Sequence, residues 1–148
     1  MDNFGLVGAL RTYATGKGWK FIYGEEEHKN YEADQTMAKG QLILGSFGFI
    51  GSPGIINSKY TEIIYAGDLY LGRKFEVAGT VSSLDETNIQ KWDRRLQYLA
   101  STLASTIGLF SCQHELDVSG ISMRQEINRY DTNIDFVATL VTFNQIPS

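Results

Sequence analysis

Apolar residues recur at about every third position near the start of the chain: Phe4, Val7, Leu10 and Tyr13, with Leu6 beside them. This spacing predicts an amphipathic helix, with Asp2 placed to cap it and Gly16-Lys17-Gly18 placed to stop it. Gly5 and Gly8 each cost about 1 kcal/mol against alanine within a helix, so packing must hold this one in place. Trp19, Phe21 and Tyr23 then alternate with Lys20 and Ile22, the period of a short strand. From Gly24 to Lys39 the periodicity stops. Glu25, Glu26, Glu27, Glu32 and Asp34 outnumber Lys29 and Lys39 there, which predicts a solvated acidic loop.

Gln41 to Leu44 resumes a strand. Phe47, Phe49, Ile50, Ile55 and Ile56 follow, interleaved with Gly45, Gly48, Gly51 and the turn signature Ser52-Pro53-Gly54. That mixture predicts an irregular loop rather than a regular amphipathic element. Its large apolar residues must either fold back onto the core or be covered by a partner. Tyr60 to Ala66 and Leu69 to Val77 are β-rich runs separated by Gly67-Asp68. They fit a tight hairpin, or one long strand with a bulge at Gly67.

Ser83 with Glu86 three residues on is a capping-box signature. It opens a predicted helix to Ile107, with Gly108 just past its end. Ile89, Trp92, Leu96, Leu99, Leu103 and Ile107 form one apolar stripe along it, as on a helix lying on a sheet. Phe110 to Val118 and Ile121 to Arg129 then read as strands around a Ser119-Gly120 turn. The last strand, Ile134 to Phe143, is apolar on both faces and therefore expected to be central. Elements in this order predict one α+β domain over residues 1–148. Its sheet is mostly antiparallel, or mixed, with two helices packed on one face.

Composition narrows the function more than it names it. The chain has 148 residues, 13 basic against 17 acidic, and a net charge of −4, which argues against a surface built to neutralise nucleic-acid phosphates. No apolar run is long enough to span a membrane, and the first residues lack a basic and then apolar leader, so no membrane or secretory role is expected. One cysteine and two histidines leave little for a disulfide or a structural zinc, and no cofactor or metal is expected.

The candidate chemistry is sparse. Cys112 and His114, two apart on a predicted strand, share a face and could pair as nucleophile and base. A half-buried cysteine beside an ordinary strand histidine is the simpler reading, because catalytic pairs usually come from different elements. Asp131, Asn133 and Asp135 resemble the opening of a calcium loop, but Phe136 and Thr142 occupy the positions of its glycine and its bidentate glutamate. Turn formation accounts for them better. Gly45, Gly48, Gly51 and Gly54 lack the lysine and helix of a phosphate cradle, and Tyr60, Tyr65 and Tyr70 lack the basic groove of a base-stacking platform.

The order of elements, with the stretch Asn128-Arg129-Tyr130-Asp131-Thr132-Asn133-Ile134-Asp135-Phe136-Val137, resembles the tail terminator family of tailed bacteriophages. The stretch is similar to that family's D-x-N-x-D-G-V run, with Phe136 in place of the glycine. The resemblance implies a small structural protein without enzymatic activity. Its copies would form a ring, a hexamer in that family, which caps the tail tube and joins it to the neck or connector. The virion, and the host cytoplasm during assembly, would be its location. On this reading Phe47, Phe49, Ile50, Ile55 and Ile56 contact a neighbouring copy or the tube, and Glu25, Glu26 and Glu27 form a charged rim. Acidic walls would also let DNA slide without sticking. The alternatives are another head–tail connector or stopper ring, a plain interaction module, or a small hot-dog-type acyl-thioester hydrolase.

Overall fold

A computed structural model describes residues 1–24, 41–74, 89, 96–126 and 134–147. The elements in chain order are α1 (Leu6–Gly16), β1 (Lys20–Tyr23), β2 (Leu42–Phe47), β3 (Ser52–Ile56), β4 (Lys59–Lys74), α2 (Gln97–Gln113), β5 (Leu116–Glu126) and β6 (Ile134–Gln145). The strands form one sheet in the order β1-β2-β4-β6-β5, and β3 also pairs with β4. Among the described strands only β1 and β2 run parallel, so the architecture is α+β with a mixed, mostly antiparallel sheet.

Alternation along the central strands sets up the two faces. Val137, Val141 and Phe143 of β6 join Tyr65, Leu69 and Leu71 of β4 beneath both helices. Leu6, Leu10 and Ala14 of α1 and Leu96, Leu99, Leu103, Ile107 and Phe110 in and beside α2 fill the same core. Both helices therefore cover one face. The opposite face holds a smaller cluster of Ile22, Ile43, Tyr70, Phe136 and Ala138, which explains why β6 is apolar on both sides. Leu140 of that face is exposed.

Several expectations need correction. α1 buries Leu6, Leu10 and Ala14 rather than a Phe4–Tyr13 stripe, and no side chain caps it, so Asp2 is not its cap. Of the two readings around Gly67-Asp68 the hairpin does not exist and the single long strand does, without a bulge there: β4 pairs with β6 in unbroken register from Ile63 to Lys74. Gly67 answers to a close approach instead, since a Cβ there would lie 2.5 Å from the Phe47 carbonyl oxygen. α2 does not end at Ile107. Gly108 faces open space within the helix, Phe110 continues the buried stripe, and the helix runs on to Gln113. Of the run Phe110 to Val118, Phe110–Gln113 is thus helix and only Leu116–Val118 is strand, and Ser119-Gly120 is no hairpin. β5 is continuous, with a register shift between Ser119 and Ser122 where Gly120 takes φ +68°. Ile89 is exposed, off the buried stripe, while Ser83, Glu86 and Trp92 lie outside the described residues.

Candidate functional site

β2 and β3 lie end to end along one edge of β4. β2 pairs with Asp68–Arg73, and β3 pairs with Lys59–Ile64. Together they form one interrupted strand, and the interruption is the stretch from Gly48 to Gly51. Gly48 takes φ +88°, and the Ile50 amide donates to the Gly48 carbonyl at 2.8 Å. This tight turn points successive side chains opposite ways. Phe49 is 3% exposed and its ring meets Phe143 at 5.8 Å, whereas Ile50 is 78% exposed.

The segment expected to be an irregular assembly loop is therefore a jog followed by a strand. Ser52–Ile56 pairs with β4 despite Pro53 and Gly54, because an edge strand tolerates a residue that cannot donate. Asn57 and Ser58 close the hairpin with φ of 53° and 65°, the left-handed pair that a two-residue turn needs. β6 reaches β4 only as far as Ile63, so Lys59–Glu62 and β3 stand beyond its end.

The residues expected at an interface divide accordingly. Phe49 does not belong there: it is core, and exposing it would open the main cluster. Phe47 is half-exposed beside Tyr23, with ring centroids 6.5 Å apart. Ile55 and Ile56 on the hairpin are 59% and 63% exposed. Glu25, Glu26 and Glu27 lie outside the described residues. Two residues escaped sequence reading. Tyr60 sits opposite Ile55 and so shares its face, and Phe4 meets the Tyr60 ring edge-on at 5.6 Å. Both are close to half exposed. Phe4, Ile55 and Tyr60 thus make an apolar strip continuing outward from the core. A period-two pattern through Ile55 and Tyr60 could have revealed it, had Asn57-Ser58 been read as a turn.

A buried polar pair fixes the base of this strip. The Tyr65 hydroxyl donates to Gln145 Oε1 at 2.7 Å, and Gln145 Nε2 donates to the Met1 carbonyl at 3.1 Å. Burial pushes the Tyr65 phenol upward, and the Phe4 backbone amide bonded to it opposes that shift. Residues Met1–Phe4 are thereby held against the sheet.

The other candidates disperse. Cys112 is exposed in the last turn of α2, and His114 follows that helix, packed on Phe110 at 4.7 Å; they share no strand. Burial, then the positive N-terminus nearby, lowers the His114 pKa and favours its neutral form. Tyr65 is buried under the helices and Tyr70 on the opposite face, so with Tyr60 they form no stacking platform. Asp131 and Asn133 lie outside the described residues, as does the side chain of Asp135. Among the described residues no group of three or more His, Cys, Asp or Glu could hold a metal, and no helix is long and apolar enough to cross a membrane. No family model matches the chain, and no curated protein matches it.

Proposed function

We propose that this chain is the subunit of a homo-oligomeric ring, a hexamer on the resemblance to tail terminators, that closes a phage tail tube and joins it to the neck. The observation carrying this reading is the β3–β4 hairpin. Its tip stands past the end of β6 and presents Ile55, Ile56 and Tyr60 to solvent, with Phe4 beside them. Burying each large apolar side chain of this kind against a partner is worth about 1.5–3 kcal/mol, enough for a few of them to drive association. A projecting hairpin that docks on a different surface of the next copy makes a heterologous contact, and such contacts form rings where the rotation between copies closes. Function on this reading is contact rather than catalysis, with the tail tube and a neck protein as further partners.

Native mass spectrometry and negative-stain electron microscopy of the purified protein test it. Rings are expected from the wild type, and folded monomers from Ile55→Ser with Ile56→Ser. Intact rings from that variant would remove the hairpin from the interface; a wild type that never assembles, alone or with tail tube protein, would sink the reading. Another connector or stopper ring would use the same hairpin. Capping of tail tubes rather than of portal–adaptor rings separates the two.

A further inference from the structure

The two sides of α2 differ in a way that its own burial does not require. Leu99, Leu103, Thr106, Ile107 and Phe110 face the core. The opposite side is centred on Ser105. Tyr98, Ser101, Ser105, Gly108 and Cys112 fall three, four, three and four apart, the spacing of a helix–helix seam, and all five are exposed. Leu109 joins them at 58% exposed, and Tyr98 is 52% exposed. A surface helix ordinarily turns charge outward, yet Gln97–Gln113 contains no charged residue. Cations stand around this face instead. Arg73 lies over the Tyr98 ring at 5.6 Å, and Arg11 and Lys17 of α1 line an open groove of about 980 Å³ beside Leu109, Cys112 and Gln113.

A centre without charge and a charged rim are the make-up of a protein–protein contact. The face offers nothing to a strongly acidic or basic partner, and it imposes no like-charge repulsion on a copy of itself. Its sizes fit a copy as well. Turned antiparallel about Ser105, Tyr98 falls opposite Cys112, Leu109 opposite Ser101, and Thr102 opposite Gly108, so each large residue meets a small one. A Cβ at Gly108 would meet nothing within 4 Å in its own chain, which leaves that space open to a neighbour. Cys112 also lines the groove, so a Tyr98 ring brought beside it reaches the groove mouth. Parallel packing would set Tyr98 on Tyr98 and leave the groove unfilled. α2 is about 25 Å long, and with the adjoining side of α1 the helix layer is about 20 Å wide. Two such faces bury on the order of 1,000 Å², the lower end of what a specific pair needs.

We propose that α2 is a second contact surface, occupied by α2 of another copy packed antiparallel across a two-fold axis at Ser105, with Tyr98 of each copy entering the groove of the other. The contact is isologous and independent of the ring reading; where both hold, it joins rings in pairs.

Position 105 tests this in the full chain. Sedimentation of Ile55→Ser with Ile56→Ser, in which the hairpin contact is removed, should show a reversible dimer at about 0.5 mM that dissociates on dilution to about 5 μM. In that background Ser105→Arg alone and Ser105→Glu alone place like charges across the axis and should each weaken the dimer at least about tenfold. An equimolar mixture of those two chains should pair as heterodimers in native mass spectrometry. Both should keep the parent's circular dichroism and thermal midpoint, because position 105 is exposed. Ser105→Cys with Cys112→Ser should oxidise to a disulfide-linked dimer, whereas Cys112 alone should not, since its two copies lie about 20 Å apart along an antiparallel pair. Association that ignores charge at position 105, charged chains that fail to pair when mixed, or cross-linking through Cys112 would each overturn the two-fold contact and leave the ring reading standing. A hairpin variant that is monomeric at about 0.5 mM would do the same, and a wild type that is also monomeric there would overturn both.

Discussion

The two ends of β4 belong to one strand and lead different lives. From Ile63 to Lys74 it is paired with β6, and over Asp68–Arg73 also with β2, so it is a beam within the sheet. Its residues Tyr65, Leu69 and Leu71 are buried beneath the helices. From Lys59 to Glu62 it has β3 on one side and lies past the end of β6 on the other. There Tyr60 is half-exposed, though it is as apolar in character as its buried neighbours further along. The free end is also the more polar, with Lys59, Thr61 and Glu62 around Tyr60. The topology brings it fewer neighbours, and Tyr60 is left half-exposed there.

The jog between β2 and β3 marks the boundary, and it predicts the largest contrast. Phe49→Ser should destabilise the domain by about 3–5 kcal/mol, the range for losing a buried aromatic, while Ile50→Ser should stay within about 0.5 kcal/mol. Equal effects in chemical denaturation would mean that the jog does not sort its side chains as described. At the anchored end, Leu99 of α2 sits in the same cluster as Leu69 and Leu71, and Leu99→Ala should cost about 2–5 kcal/mol. A loss under about 0.5 kcal/mol would detach α2 from the beam.

Between the two ends stands the Tyr65–Gln145 pair. Tyr65→Phe leaves Gln145 Oε1 without its donor and should cost about 1–3 kcal/mol. The pH dependence has a definite sign. Burial raises the folded-state pKa of Tyr65 above its ordinary value of 10.0, so the unfolded chain loses this proton first. The stabilisation is complete below about pH 10 and declines as pH rises through the folded value, and Tyr65→Phe should flatten that alkaline limb of the stability curve. A mutant curve parallel to the wild type above pH 10 would show that the phenol is not the responsible group. The smallest effect belongs to the free end: Ile55→Ser with Ile56→Ser should change monomer stability by no more than about 0.5 kcal/mol, read as the thermal midpoint of dilute protein.

The sequence made regular elements with intact periodicity legible, and it misled at several of the glycines that stand inside one, though not at Gly8 of α1 or Gly72 of β4. The apolar stripe at Leu96, Leu99 and Leu103 marked the long helix, and two-sided alternation marked β6 as central. Gly108 and Gly120 looked like stops, and Gly67 looked like either a turn or a bulge. Their actual reasons are three different ones: open space outside a helix, the approach of a neighbouring carbonyl, and a bulge that lets β5 continue along β6. None of these can be told from a turn without knowing what lies opposite. β3 was hidden for a similar reason, since Pro53 and Gly54 are poor strand residues in isolation and acceptable ones on an edge. Of the candidate interface, Ile50, Ile55 and Ile56 are exposed as their loop-like setting suggested. Phe49 went astray because the turn at Gly48 reverses which neighbour faces inward.

The bond from Gln145 to the Met1 carbonyl joins residues 144 positions apart and brings the two extremities of the domain to one corner. Chain added ahead of Met1 would start close to where the last strand ends at Gln145. Such a domain suits head-to-tail splicing, in which a short linker reconnects the old ends and new ones are opened at an exposed turn. Asn57-Ser58, at the hairpin tip, is one such turn. A spliced chain opened there would keep its core but sever the β3–β4 hairpin, separating what holds the fold together from the surface proposed for contact.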